Sequence, residues 1–304
     1  MNAHSLDSLA LAAPPVDERR GAFDHLPADR VPLAVLDFET TGLVPGKDDR
    51  IVEVGVVRMD PERGGRWSET RFESLVNPER AIPGRVVKIH GITDSMVRTA
   101  PRFDQVAPEL LSLLEGAVVV GHHLPFDLAF LLRECRRNGV ATPELGPVID
   151  TLQVSRHVFG FYRCNLVALA ERMGIAHRRA HTALGDAETT LFVLRKMLDA
   201  LGADGKIPTV GELTSMVHAL RKGGAERTRM IDTLKSAHSD QRDLVIDYTD
   251  VHGQGALSNR RRITVQNLRL PYVDAFCHLR EAERVFRVDR ITRVVDLEAT
   301  RVAL

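Results

Sequence analysis

Cysteine is scarce in this chain: Cys135, Cys164 and Cys277 are the only three in 304 residues, and no two stand in a CxxC spacing. That pattern argues against a zinc ribbon or a disulfide framework and fits a reducing cytoplasm. Cys135 reads as a small buried apolar residue. Tryptophan is nearly absent, and Trp67, the single one, is most simply a packing residue. No run of about 18 apolar residues exists, so no membrane-spanning helix is expected. The opening MNAHSLDSLALAAPP has a short apolar patch but no basic stretch ahead of it, and Asp7 stands where one should be, so a secretory signal is not expected. Net charge is absent too, with 41 Lys+Arg against 41 Asp+Glu. A zero sum neither requires nor forbids a polyanionic partner, because acids at a centre can be ringed by basic residues. Internal repeats and low-complexity tracts are also missing.

What is present starts with core material, 44% hydrophobic residues, enough for one large or two ordinary domains. The stretch LAVLDFETTG (33–42) stands out. Leu33 to Leu36 form an apolar run suited to a strand buried on both faces. Asp37 and Glu39 follow, two apart and therefore on one side of that strand. Like charges held so close are costly unless a cation lies between them. Two further segments supply acids. VVVGHHLPFDLAFLL (118–132) reads as a buried strand, a turn and a helix with Asp127 near its start. HTALGDAETTLFVLRKML (181–198) places His181 five residues before Asp186 at the head of another helix. Taken singly, Asp127 and Asp186 are ordinary acids at helix N-termini, and His181 is a routine histidine.

Together these segments resemble the three motifs of the DEDDh exonuclease family, the group that includes the proofreading epsilon subunit of bacterial DNA polymerase III. DFETTG resembles the first motif, and His181, Ala183 and Asp186 form the HxAxxD of the third. The second motif usually has Asn where this chain has His123, while Phe126 and Asp127 fit. KIHGIT (88–93) is similar to a segment between the first two motifs. The resemblance covers roughly residues 31–200 and implies a ribonuclease H-like fold.

The pattern of elements agrees with that expectation. Three strands joined by short turns (33–36, 50–59 and 66–78) read as an antiparallel meander. Helix 103–116, strand 117–123, helix 125–139, strand 147–152, a helix capped by Asn165 and the helix bearing Asp186 then alternate, giving a mixed α/β sheet flanked by helices. The expected organisation is an extension over 1–30, the exonuclease-like domain over 31–201, a linker with short helices over 202–240, and a β-rich domain over 241–304.

That last segment holds eleven arginines and nine acids, a net of +2. VIDY before a Gly-rich turn, AFCHLR and RVFRVDRI resemble the WYL domain, which implies a small SH3/Sm-like β-barrel. The Trp-Tyr-Leu that names the domain is replaced here by Pro271, Tyr272 and Val273. Arg260, Arg262, Arg284, Arg287 and Arg290 are candidates for contact with nucleic acid; a solvated, salt-bridged surface is the plainer alternative.

Four carboxylates without a thiol select a hard cation, Mg²⁺ or Mn²⁺ rather than Zn²⁺. By family analogy two such ions clamp a phosphodiester. The resemblance implies that Asp37 bridges both, with Glu39 and Asp186 on one and Asp127 on the other, and that His181 takes the proton of the attacking water. Thr41, Gly42 and His90 are candidate contacts to the terminal nucleotide. Glu53 and Asp150 read as structural, and His122 and His123 as either structural or site-lining. The expected activity is a 3′–5′ exonuclease on single-stranded DNA, in repair or processing. An RNA-trimming exonuclease and a WYL-type regulator are the alternatives, and association with a polymerase is left open.

Overall fold

The computed structural model describes residues 23–296 apart from 44–47, 162, 178, 203–204, 223, 252–255 and 270–271. The expected extension therefore lies outside the described residues up to residue 22, as does Pro271. Cα packing divides the chain into two units, residues 1–152 with 163–214 and residues 153–162 with 215–304.

In the first unit β1 (Leu33–Thr40), β2 (Ile51–Pro61) and β3 (Trp67–Leu75) form the expected meander. Two short helices follow, α1 (Gly84–His90) and α2 (Asp94–Val97). They occupy a segment with no sustained period in its sequence. Next come α3 (Phe103–Leu114), β4 (Val118–Gly121), α4 (Leu124–Arg137) and β5 (Val148–Asp150). α5 (Thr151–Gln153) leads into a π-turn at Val154–Val158 that belongs to the second unit, and the first unit resumes with α6 (Leu166–Met173) and α7 (Ala183–Leu201). The sheet order is β3-β2-β1-β4-β5, antiparallel on the β2 side of β1 and parallel on the β4 side. This is the mixed sheet read from the sequence.

Period two along β1 sorts its side chains. Ala34, Leu36 and Phe38 join Phe103, Leu110, Phe130 and Leu131 in the core under α3 and α4. Asp37 and Glu39 therefore point to the opposite face, where α7 packs on β1 and β2. A buried ion pair fastens the chain after β1 to α4. Arg50 Nε donates to Glu134 Oε1 at 2.6 Å and its NH2 to Oε2 at 3.0 Å, with both side chains under a tenth exposed. Arg50 NH1 reaches the Pro78 carbonyl, and Asn138 donates to Glu134. Removing Glu134 leaves the buried Arg50 only a longer ionic contact, 3.7 Å, with the half-exposed Glu79. Glu134→Ala is therefore expected to cost about 3–5 kcal/mol, and a denaturant midpoint equal to the parent's would contradict this.

In the second unit, α9 (Gly224–Ser239) follows α8 (Val210–Lys222), which starts in the first unit. The strands are β6 (Asp243–Val251), β7 (Ala256–Arg269), β8 (Tyr272–Cys277), β9 (Ala282–Arg287) and β10 (Ile291–Asp296), in the antiparallel order β10-β6-β7-β8-β9. Among the described residues the two edge strands do not pair with each other, so the sheet is open where a closed barrel was expected. The helix supplies the reason. Ile231, Leu234 and Ala237 of α9 join Leu244, Ile246, Ile263, Val265 and Phe286 in one core, so the apolar face is covered without closure.

Candidate metal centre

Asp37 and Glu39 come from β1, and Asp186 from the first turn of α7. One carboxylate oxygen of each lies within 4.8 Å of those of the other two. Three features bring α7 to this point. Thr182 caps it, its Oγ1 accepting from Gly185 N at 3.2 Å. Glu53 Oε2 accepts from Ala183 N at 2.7 Å, satisfying a second free amide at the helix start. Gly55, opposite Asp37 in the β1–β2 register, leaves the room: a Cβ there would stand 2.2 Å from the Ala183 carbonyl carbon and Leu184 N. Gly55→Val is expected to push Asp186 away from Asp37 and lower turnover by about tenfold or more. A parent-like rate from a correctly folded variant would count against that packing.

Asp127 sits in the first turn of α4, 3% exposed, and its Oδ1 accepts from Phe38 N at 3.2 Å. Its charge acts on Asp37 across the end of β1. Burial first, then Asp127, Asp186, Glu39 and Glu53, hold Asp37 well above the usual carboxylate range. Burial, then Asp186 and Glu53, push Glu39 up to about 8. Burial raises Asp127, against the amides that bond it. A set of acids raised by one another in this way is one a divalent cation would relieve.

The other candidates are placed as follows. His181 is exposed, at φ 62°, and its backbone N donates to Asp186 Oδ1 at 3.3 Å. His90 is buried beside the Thr40 backbone, and its Nδ1 accepts from Ile92 N. Burial holds its pKa below the ordinary histidine value. Thr41 is fully buried, and its Oγ1 accepts from Arg50 N at 2.9 Å. Gly42 lies against Asp49, whose carboxylate a Cβ would strike. His123 caps α4 at φ 71°, a backbone that Asn and His tolerate better than most residues. Its N donates to Asp150 Oδ1, while His122 Nδ1 meets Thr151 Oγ1, so both histidines are tied to the end of β5.

His177 was not among the candidates. Its Nε2 stands 2.6 Å from Asp186 Oδ1, giving that oxygen a second donor. It lies in a loop between α6 and α7, where no helical or strand period links it to the motif.

In the second unit, Arg260 and Arg262 are exposed and paired with Asp247 and Asp243 of β6. Arg284 is exposed and lines a groove with Gln266, Asn267, Asp274 and Glu283. Arg287 is buried, and Arg290 is half-buried.

The family model described as Exonuclease matches residues 34–194, and that described as WYL domain matches residues 229–295. A DNA polymerase III subunit epsilon-like protein of Rhodobacter capsulatus is 40% identical over 199 residues, 64% of this chain and 28% of that protein. The 3′-5′ exonuclease DinG of Bacillus subtilis is 36% identical over 170 residues, 56% of this chain and 18% of that protein. The chain thus spans under a third of either relative. The DNA polymerase III subunit epsilon of Rickettsia conorii is 36% identical over 159 residues, 50% of this chain and 67% of that protein. Among solved structures, E. coli Exonuclease I in complex with a dA16 oligonucleotide aligns with a TM-score of 0.50 at 16% identity, over 90% of this chain and 68% of that one. A full-length 3′-exonuclease aligns with a TM-score of 0.50 at 19% identity, over 60% and 64%. These two share the fold.

Proposed function

Because the chain belongs to the DEDDh exonuclease family and carries a WYL domain behind the exonuclease fold, we propose that it is a metal-dependent 3′–5′ exonuclease on single-stranded DNA, working in cytoplasmic DNA repair or processing. The observation that carries this reading is the convergence of Asp37, Glu39 and Asp186 within 4.8 Å, with Asp127 behind them. These donors are oxygens only and raise one another's pKa, which fits Mg²⁺ or Mn²⁺. Asp37, Glu39 and Asp186 would hold one ion, with Asp37 shared and Asp127 serving a second. Bound there, the ions supply Lewis-acid stabilisation of the phosphoryl oxygens and a more acidic water.

The chain's own residues do the rest. His181, exposed and bonded through its backbone N to Asp186, takes a proton from the attacking water at a ring nitrogen. The water oxygen bonds to phosphorus, the bond from phosphorus to the 3′ oxygen breaks, and that oxygen takes up a proton. A nucleoside 5′-monophosphate and a shortened strand with a 3′ hydroxyl leave. Glu53 and His177 hold α7 and Asp186 in register. His90, buried beside the Thr40 backbone, and the turn at Thr41 and Gly42 are the groups offered to the terminal nucleotide. In the WYL domain Arg260, Arg262, Arg284 and Arg290 are the arginines offered to phosphates. Exposed ion pairs such as Arg260–Asp247 are weak enough to be exchanged for a strand. Arg287, being buried, supports the sheet.

The test uses 5′-labelled single-stranded DNA and RNA of one sequence, with Mn²⁺, Mg²⁺ or EDTA, beside His181→Ala. A DNA ladder that shortens from the 3′ end, requires metal and is lost in the variant is expected. Preference for RNA would move the substrate to the RNA-trimming reading. No cleavage of either strand, with binding retained, would replace the enzyme reading by a regulatory one.

A further inference from the structure

One stripe of α7 is not used by the metal centre. Gly185, Glu188, Thr189, Phe192, Arg195, Lys196 and Asp199 recur at three- and four-residue steps, so they share one face. This face lines a groove of about 630 Å³ with Arg71 of β3 and with Ile175, Ala176 and Arg179 of the loop before α7. The groove carries four cations, Arg71, Arg179, Arg195 and Lys196, against two acids, Glu188 and Asp199. Arg71 is paired with Glu69 and Glu188, and Arg179 with Glu73. Arg195 and Lys196 make no ion pair among the described residues. Between the two pairs of cations Phe192 is 48% exposed, a large apolar ring left in water. The near end of the groove is Gly185, the residue before Asp186 in the chain, and at 1.5 Å per residue Arg195 lies about 15 Å from it along the helix.

Cations beside an exposed aromatic ring, in a groove whose near end is one residue from Asp186 in the chain, form the pattern that holds single-stranded nucleic acid. The ring stacks on a base and the cations meet phosphates. We propose that this groove holds the strand on the 5′ side of the nucleotide being removed, Phe192 stacking on a base and Arg195 and Lys196 contacting phosphates. This rests on the exonuclease reading and adds a surface that fixes how much of the strand the enzyme grips.

The experiment compares two oligothymidylates, a tetranucleotide too short to fill both places and one of about 16 nucleotides. Binding is read by fluorescence anisotropy in the full chain carrying Asp37→Ala, so that the strand survives. Hydrolysis is read in the parent background. Phe192→Ala is expected to weaken binding of the longer strand about tenfold. Arg195→Ala with Lys196→Ala is expected to reduce the slope of log affinity against log salt by about 1.4, from two lost phosphate contacts. Hydrolysis of the tetranucleotide should not change in either variant. Unchanged affinity for the longer strand, with the tetranucleotide still cut, overturns the groove proposal and leaves the exonuclease reading standing. Equal losses on both lengths overturn it as well, because they mark a structural effect. A parent chain that cuts neither length overturns the exonuclease reading itself.

Discussion

Asp37→Asn is expected to abolish phosphodiester hydrolysis while leaving the chain folded. Asp37 stands at the centre of the acid set: burial raises its pKa, and Asp127, Asp186, Glu39 and Glu53 all act on it. An amide of the same shape keeps the packing but removes a charge that would hold a divalent cation. Losing several kcal/mol of charge stabilisation in the transition state corresponds to a fall of about 10³-fold or more in turnover. Without metal the variant should melt no lower than the parent, because a buried acid among acids destabilises the fold when ionised. Turnover within tenfold of the parent would remove Asp37 from the mechanism. Loss of activity together with loss of folding would leave its role to be judged from Glu39→Gln.

The second large effect links pH and metal. Glu39 has an ordinary value of 4.5 and is pushed up to about 8 in the fold. Between those values the unfolded chain has released a proton that the folded chain still holds. The metal-free protein therefore loses stability as pH rises from about 4.5 to about 8, and this group adds no further change above that. Asp37 and Asp127 shift in the same direction. The loss should be on the order of a few kcal/mol. Bound cation favours the ionised acids, so Mn²⁺ or Mg²⁺ should restore stability, strongly at pH 8 and weakly at pH 5. Thermal melts in EDTA and in excess Mn²⁺ at the two pH values measure this, with Glu39→Gln as the control that loses much of the slope. A metal-free melting temperature as high at pH 8 as at pH 5 would refute it.

Much of this architecture could be read from one dimension. Asp37 and Glu39 are legible because period two and a preceding apolar run place them together on one side of a strand end. The helices α4 and α7 carry their own start signals and amphipathic spacing, so their acids could be located to within a turn. His177 could not be found that way. Its contact with Asp186 is made by a loop, and loops carry no period from which to read a direction. The roles of Glu53 and Gly55 depend on which face of β2 meets α7. That is fixed by β1–β2 register and helix packing, neither of which local sequence reports. The short helices α1 and α2 are held by contacts of Val86 and Val97 with Val52, Ile82 and Ile92 rather than by helical propensity. The open sheet of the second unit has the same kind of cause: strand signals were plain, but only tertiary packing shows that α9 covers the face a barrel would enclose.

The positions of the acids along the chain have a consequence for biosynthesis. Asp37 and Asp186 are 149 residues apart in sequence, yet their carboxylates share one small space. A nascent polypeptide shorter than 186 residues lacks the last of these acids, however well its sheet has formed. The proposed metal centre is therefore completed only when this late helix has been made and docked.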